Sequence, residues 1–231
     1  MSTPIVVAVD GTSGSGKSST SKGAADRLGL RYLDTGAQFR AMTWWMLSHD
    51  IDVHDAAAVA AAAPQARIES GTDPLAPTIT LDGVDVSAEI RSDEVNANVS
   101  PVSAVPEVRA LLLALQRSII TAALDGAGIV VEGRDIGSVV WPEAALKLYV
   151  SADPSARAAR RALEAGGDVA ATQASLEARD VIDSGRATAP LVQADGAVHL
   201  DTTHITLAEA IDQVVGLVRG LGAEAAQDAS A

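Results

Sequence analysis

A phosphate-binding motif stands near the start of the chain. Residues 11–18 read GTSGSGKS, which matches G-x-x-x-x-G-K-[ST] in full and lies between a strand-like and a helical segment. The glycines let the backbone wrap around a phosphate, and the following helix adds the positive end of its dipole. Lys17 is expected to reach the β- and γ-phosphates, and the Ser18 hydroxyl to bind Mg²⁺. The predicted triphosphate-binding residues are Gly11, Thr12, Ser13, Gly14, Ser15, Gly16, Lys17, Ser18 and Ser19.

Arginines outside this loop form a second chemical feature. Several stand in short motifs; they are Arg40, Arg109, Arg134, Arg157, Arg160, Arg161, Arg179 and Arg186. Transfer between two phosphates gathers several negative charges, so the site must supply cations and exclude water. The planar guanidinium suits this task because it can hold a phosphate through two hydrogen bonds. The arginines therefore favour a kinase among the proteins that carry this loop.

Two other classes of P-loop protein are disfavoured by what the sequence lacks. The guanine-reading N-K-x-D motif is absent, and the only asparagines are Asn96 and Asn98. The apolar segment Gly128–Glu132 runs into Gly133-Arg134-Asp135 rather than ending in the Asp-Glu pair usual in motor ATPases.

The four histidines do not cluster with acidic residues at a metal-binding or catalytic spacing, so we interpret them as surface or strand-end residues.

Alternating strands and helices are expected to position these residues. Short apolar runs predict parallel strands at Ile5–Asp10, Tyr32–Leu33, Gly128–Glu132, Leu146–Val150 and Ala197–Leu200. Helices are predicted at Lys17–Leu28, Phe39–Ser48, Asp55–Ala63, Glu107–Leu124 and Leu207–Leu221, with two more across Pro154–Asp183. Asp82-Gly83, between Thr78–Leu81 and Val84–Val86, predicts a hairpin in a small insertion. The pattern indicates an α/β fold with helices on both faces of a parallel sheet.

Composition and charge narrow the function further. Apolar residues make up 48% of the 231 residues, enough for a sizeable core. Cysteine is absent, which excludes disulfides and thiolate sites and fits a cytoplasmic location. The formal net charge of −13 disfavours nucleic-acid binding, so anionic substrates would need a local cluster of arginines and backbone N–H groups. The start of the chain does not resemble a signal peptide, and we expect no membrane association.

The chain resembles the bacterial cytidylate kinases from Ile5 to about Leu217. Five blocks carry the resemblance, in the family's order. They are VDGTSGSGKSS (9–19), LDTGAQFR (33–40), EIRSDEVNANVSPVSAVPEVR (89–109), VEGRDIGSVVWP (131–142) and RDVIDSGRATAPL (179–191). The family usually has tyrosine where this chain has Phe39, Gln38 is unusual, and the position of Ile182 is often basic. We expect these departures to leave the principal site residues untouched.

The resemblance implies how a cytidine nucleotide would be recognised. Residues that match Ser100, Arg109 and Asp135 read the cytosine in that family, and those that match Arg179 and Asp183 hold the ribose. Cytosine offers an amine donor beside two acceptors, so a carboxylate with arginine and hydroxyl donors complements it. A carboxylate is likewise a natural acceptor for the ribose hydroxyls.

The resemblance also implies which residues hold the phosphates. Arg40 and Arg134 would grip the monophosphate beside the Thr35 hydroxyl, and Arg186 would lie close to the reacting phosphates. We therefore predict Lys17, Arg134 and Arg186 as the catalytic residues. Phosphoryl transfer depends on positioning and charge stabilisation more than on a strong base, so no catalytic triad is expected.

The family's organisation implies one kinase domain over residues 1–221, of P-loop NTPase type. Its core would comprise residues 1–35, 105–155 and 190–221, with a monophosphate-binding insertion at about 36–104. A helical lid at about 156–189 would bring Arg157 to ATP, and Gly166-Gly167 is a possible hinge. Residues 222–231 are predicted to be a disordered tail.

The predicted reaction is transfer of the γ-phosphoryl group of MgATP to CMP or dCMP by a cytoplasmic monomer. Another P-loop kinase, acting on UMP or a different small acceptor, is the nearest alternative. A nucleotide-dependent regulatory protein with little turnover is a more distant one, disfavoured by the arginine-rich blocks.

Overall fold

The computed structural model describes residues 4–165, 168–186 and 189–228, and it alternates strands with helices as predicted. The strands are β1 (Ile5–Gly11), β2 (Arg31–Asp34), β3 (Ile68–Ser70), β4 (Ile79–Leu81), β5 (Val84–Asp85), β6 (Gly128–Glu132), β7 (Leu146–Ser151) and β8 (Val198–Asp201). The helices are α1 (Lys17–Leu28), α2 (Thr35–Ser48), α3 (Ala56–Ala62), α4 (Asp93–Ala104), α5 (Pro106–Ala123), α6 (Pro154–Ala165), α7 (Val169–Ser184) and α8 (Leu207–Asp228).

The central sheet has five strands in the order β2-β6-β1-β7-β8. All four pairings are parallel, and Val7 of β1 pairs with Val130 of β6 on one side and with Leu146 of β7 on the other. The predicted α/β class is confirmed. Because the strands are parallel, their carboxyl ends meet at one edge, where ligands bind in open α/β sheets.

Two apolar layers cover the sheet, one on each face. Val7 and Val9 of β1 face one core cluster, to which α1 and α8 contribute. Val6 and Ala8 of the same strand face the opposite cluster, to which α5 contributes. Successive residues of β1 point to opposite faces of the sheet, and both faces are buried. Residues on both faces therefore have to be apolar, which explains the continuous apolar run in the sequence.

The insertion between α2 and α5 has its own small sheet and core. Strands β3, β4 and β5 pair antiparallel, and Asp82 and Gly83 join β4 to β5 with φ angles of 51° and 79°. The predicted hairpin is confirmed, and these positive φ values are those of the turn that favours Asp-Gly. The structure adds β3 and helix α4, which contains Pro101, to what the sequence predicted.

The last helix extends further than the sequence predicted. Helix α8 spans Leu207–Asp228 and so continues past residue 222, where the sequence predicted the start of a disordered tail. Its alanine-rich sequence is compatible with this extension because alanine has the highest helix propensity. The predicted hinge, Gly166-Gly167, lies outside the described residues. Within the described ranges, no helix is both long and apolar enough to cross a membrane.

Candidate active site

A cavity of about 370 Å³ opens at the carboxyl edge of the sheet. Its walls come from the loop after β1, the ends of β2 and β6, the insertion, and helices α6 and α7. Among the described residues its lining contains ten basic side chains, which are Lys17, Lys22, Arg40, Arg91, Arg109, Arg134, Arg160, Arg161, Arg179 and Arg186. Four acidic side chains, Asp34, Glu132, Asp135 and Asp183, accompany them. The cavity is therefore cationic in a chain whose formal net charge is −13.

The loop after β1 has the conformation of a phosphate cradle. Gly14 and Gly16 have φ angles of 75° and 83°, a left-handed backbone that glycine adopts without strain. Gly16 caps α1, so the amino end of that helix points toward the cavity. The Lys17 ammonium donates to the Thr12 carbonyl at 2.6 Å and thereby spans the loop. Burial and the nearby positive charge of Arg134 lower the pKa of Lys17 below its ordinary value.

Not every residue of the predicted motif faces the cavity. Those that line it are Ser13, Gly14, Gly16, Lys17, Ser18 and Ser19, whereas Gly11, Thr12 and Ser15 are absent from the lining. Gly11 is needed for packing instead. A Cβ there would lie 1.9 Å from the carbonyl oxygen of Val150 in β7.

A hydroxyl and a carboxylate form a hydrogen bond beside the loop, with Asp34 in the same cavity wall. The Ser18 hydroxyl donates to Glu132 Oε1 at 2.6 Å, and the second oxygen of Glu132 is buried without a hydrogen-bond partner among the described atoms. Burial, with the neighbouring charge of Asp34, raises the pKa of Glu132. These oxygen donors are of the kind that Mg²⁺ prefers. Among the described residues, no group of three or more His, Asp and Glu side chains is arranged to bind a metal by itself.

Arg134 joins the phosphate loop to helix α7. Its NH1 donates to the Gly11 carbonyl at 2.7 Å, and its Nε donates to Asp183 Oδ2 at 2.9 Å. Asp183 is buried and also accepts from Arg186, and Arg179 lies 4.0 Å away. One carboxylate thus holds three guanidinium groups together at the cavity wall.

The predicted base-reading residues are only partly brought together. Arg109 and Asp135 form an ion pair, and both line the cavity. Burial raises the pKa of Asp135, against the opposing effect of Arg109. Ser100 is not among the lining residues; one helical turn later, Ser103 lines the cavity. Its hydroxyl donates to the Ser100 carbonyl and accepts from Arg186, each at 3.0 Å.

The unusual residues of α2 contact the site or its supports. The guanidinium carbon of Arg109 lies 5.4 Å from the centre of the Phe39 ring, a cation–π contact. The expectation that these departures leave the principal site residues untouched was therefore wrong for Phe39. Gln38 is buried away from the cavity, and its amide donates to the Ser70 hydroxyl at 3.0 Å, which ties α2 to β3.

The predicted monophosphate-binding residues Thr35, Arg40 and Arg134 all line the cavity. Arg40 lies on α2, and burial lowers its pKa, opposed by Asp34. Burial, with the nearby Arg134, lowers the pKa of Arg179 to about 10. The Thr35 hydroxyl donates to the Glu132 carbonyl at 2.7 Å, which leaves its oxygen free to accept. Crowded cations with lowered pKa values indicate a site that anions would stabilise.

Arg157, predicted to bind ATP, is not among the residues that line the cavity. It is buried, and its NH1 donates to the Ser13 carbonyl at 3.0 Å and to Asp180 Oδ2 at 2.6 Å. The other oxygen of Asp180 accepts from the Ser13 backbone at 3.4 Å. Arg157 therefore links both lid helices to the phosphate loop through an ion pair.

Several residues at the site were not predicted from sequence. These are Asp10, Asp34, Ser103, Glu132 and Asp180. Asp34 and Glu132 are the last residues of β2 and β6. Because the carboxyl ends of parallel strands meet at one edge of the sheet, their positions in the sequence could have placed them at the site. Asp180 and Ser103 had no such signal, since their partners Ser13 and Arg186 are distant in sequence.

The fold and the cavity together define a class of protein. A parallel sheet, a phosphate loop between β1 and α1, and an arginine-lined wall facing that loop are the features of a P-loop phosphotransferase. A family model described as cytidylate kinase matches residues 7–220. The chain belongs to the cytidylate kinase family, and kinases of this family use ATP.

Relatives support the assignment along most of the chain. A cytidylate kinase of Streptomyces griseus subsp. griseus is 58% identical over 217 residues, which cover 94% of this chain and 93% of the relative. A cytidylate kinase of Nocardia farcinica is 51% identical over 221 residues, 94% of each chain. A crystal structure of an uncharacterized protein from Eubacterium ventriosum has a TM-score of 0.51 at 10% identity, covers 94% of this chain and 98% of that one, and shows similarity of fold alone.

Proposed function

We propose that this protein transfers the γ-phosphoryl group of ATP to CMP or dCMP, giving ADP and CDP or dCDP. The observation that carries the proposal is a single cavity in which the phosphate loop faces both an arginine cluster and the Arg109–Asp135 pair. The family membership and the relatives named cytidylate kinase support the same substrate class.

The donor nucleotide would bind at the phosphate loop. Backbone N–H groups of the loop and the amino end of α1 would hold its phosphates, and the Lys17 ammonium would leave the Thr12 carbonyl for phosphate oxygens. Phosphate charge would also raise the lowered pKa of Lys17, because an adjacent anion favours the ammonium form. Gly11, Thr12 and Ser15 would contribute by shaping the loop.

Magnesium fits the oxygen donors beside the loop. Ser18 would hold the ion, with Glu132 and Asp34 close by and the nucleotide phosphates completing its shell. The bound ion would neutralise negative charge on the β- and γ-phosphates during transfer.

The acceptor would occupy the other half of the cavity. Asp135 would accept from the cytosine amine while Arg109 and a serine hydroxyl donate to its acceptor atoms, with Ser103 better placed than Ser100. Arg40 and Arg134 would bind the monophosphate beside Thr35, and the ribose would lie near Arg179 and Asp183. Arg186 donates to both Ser103 and Asp183, so it is suited to lie between the base and the ribose of the acceptor.

The reaction would be a direct displacement. A monophosphate oxygen forms a bond to the γ-phosphorus as the bond to the β–γ bridging oxygen breaks, and ADP departs. Lys17, Arg134 and Arg186 would stabilise the charge on the transferring group. Helices α6 and α7 would act as a lid, with Arg157 anchoring them to the loop, and the insertion would hold the acceptor. We further propose that the enzyme is a cytoplasmic monomer without nucleic-acid or membrane partners.

A coupled assay across nucleoside monophosphates tests the function. We expect rapid ADP release with CMP and dCMP, much slower release with UMP, and little without an acceptor. Lys17→Ala should fold normally and lose nearly all transfer, because the charge that binds the γ-phosphate is removed. Equal turnover with and without CMP would instead identify an ATPase, and a preference for another acceptor would identify a different P-loop kinase.

A further inference from the structure

A buried carboxylate lies behind the cavity and has no place in the reaction described above. Asp10, the last residue before the phosphate loop, is 2% exposed. Its two oxygens accept from the backbone N–H groups of Ile136 at 2.7 Å and Gly137 at 2.8 Å. Burial raises the pKa of Asp10 to about 6, in opposition to these two bonds. A charged group in this position costs folding free energy, which calls for a functional reason.

The two N–H groups belong to the turn that carries Asp135. Residues Ile136–Val140 form one π-helical turn, a type of distortion that is frequent at functional sites. Its first amides are those that bind Asp10, and the Asp135 carbonyl accepts from Val139 and Val140. The carboxylate therefore fixes the backbone immediately after Asp135.

The other end of the turn is held by an opposite charge. Arg117 of α5 donates from Nε to the Val140 carbonyl and from NH2 to the Val139 carbonyl, each at 3.0 Å. An anion thus binds the amide end of the turn and a cation binds its carbonyl end, the arrangement that the backbone dipoles favour. Asp10 and Arg117 hold the turn from β1 of the central sheet and from α5, which packs against that sheet.

We propose that Asp10 and Arg117 are positioning residues that set Asp135 against the base of the acceptor, so that they govern recognition of the pyrimidine without contacting it. This inference rests on the proposed function for the identity of the acceptor. Asp135 must meet the base within a few tenths of an ångström, and its own rotamer is already limited by the ion pair with Arg109.

The test uses Asp10→Asn, which keeps the shape but replaces one acceptor oxygen with a donor. Hydrogen exchange at the amides of Ile136 and Gly137 should accelerate at least tenfold. We expect KM for CMP to rise about tenfold or more while KM for ATP changes less than about threefold. The ratio of kcat/KM for CMP to that for UMP should fall, which a general loss of structure would not produce.

Asp55→Asn is the matched control. Asp55 is an exposed carboxylate that likewise accepts two backbone N–H bonds, at the start of α3, so its substitution should leave all these quantities unchanged.

Arg117→Gln changes a residue on an exposed helix face and should raise KM for CMP about threefold. This variant supplies the test if Asp10→Asn does not fold. Equal rises in KM for CMP and ATP, or an unaltered CMP-to-UMP ratio in both variants, would overturn the inference. Absence of CMP phosphorylation in the unaltered enzyme would instead count against the proposed function, while the exchange measurement still reports on the turn.

Discussion

At the scale of single residues, the site depends on carboxylates that organise arginines. Asp183 accepts from Arg134 and Arg186 and lies near Arg179, and Asp135 accepts from Arg109. Buried ion pairs contribute little net stability, because desolvation offsets their attraction. Their value here is geometric, since each guanidinium keeps donors available for a ligand while its position is fixed.

Substitution of Asp135 tests whether this carboxylate reads the base. Asp135→Ala should lower kcat/KM for CMP ten- to a hundredfold or more, because an unpaired polar group in a closed site costs about 1–3 kcal/mol. KM for ATP should stay nearly constant, since Asp135 pairs with Arg109 rather than with a residue of the phosphate loop in the described part of the chain. Titration calorimetry with each nucleotide separates the two effects. Equal loss of ATP and CMP binding would mark Asp135 as a scaffold residue.

At the scale of elements, local sequence predicted some bounds well and others not at all. The predicted limits of α1 and β6 agree with the structure. The glycines that cap α1 and the β-branched residues of β6 are local features of the sequence, so these bounds could be predicted without knowledge of the tertiary structure. Helix α4 was not predicted, since Pro101 in its interior opposes helix formation and only packing in the insertion core overrides that preference. Strand β3 has three residues and forms through its pairing with β4.

The same contrast holds for the site. The phosphate loop could be predicted from the sequence because its function depends on consecutive residues. The contact of Asp180 with Ser13 spans 167 residues and that of Asp10 with Ile136 spans 126, and no local pattern encodes either one. The partners of the lid arginines are also distant in sequence, since Arg157 pairs with Asp180 and Arg160 donates to the Thr202 hydroxyl at 3.1 Å.

The Arg157–Asp180 pair predicts how the two lid helices are stabilised. Its side chains are 4% and 17% exposed, so Asp180→Ala leaves a buried guanidinium without its counter-charge. We expect helices α6 and α7 to lose about 3 kcal/mol of protection against local opening, or roughly a hundredfold in hydrogen exchange.

An exposed ion pair supplies the control for this measurement. Asp212 pairs with Arg27 between α8 and α1, with side chains 60% and 46% exposed, so Asp212→Ala should change protection by less than about 0.5 kcal/mol. Similar small effects in both variants would show that the buried pair does not secure the lid. Protection of the central sheet should stay unchanged in either case.

At the scale of the whole molecule, the charge of the cavity opposes that of the surface. The chain has 17 basic and 30 acidic residues, yet the described cavity lining has ten basic and four acidic ones. Exposed charges are screened within about 8–10 Å at physiological salt, so an approaching nucleotide responds mainly to the charges nearest the cavity mouth. The fold concentrates arginines from α2, α5, α6 and α7 at one edge of the sheet, and the surplus of acids lies elsewhere.

Salt dependence distinguishes the local field from the net charge. If the basic residues of the cavity dominate the field that the nucleotide meets, raising KCl from about 50 to 500 mM should lower kcat/KM for CMP about three- to tenfold. The reason is that salt screens the attraction between these residues and the anionic nucleotide. If the net charge of −13 dominates, salt would screen a repulsion and kcat/KM would rise. Arg91→Gln removes an exposed charge at the cavity and should weaken the salt dependence. Arg219→Gln removes the same charge from the exposed side of α8 and should leave the dependence unaltered, so identical slopes in the two variants would contradict the dominance of the cavity.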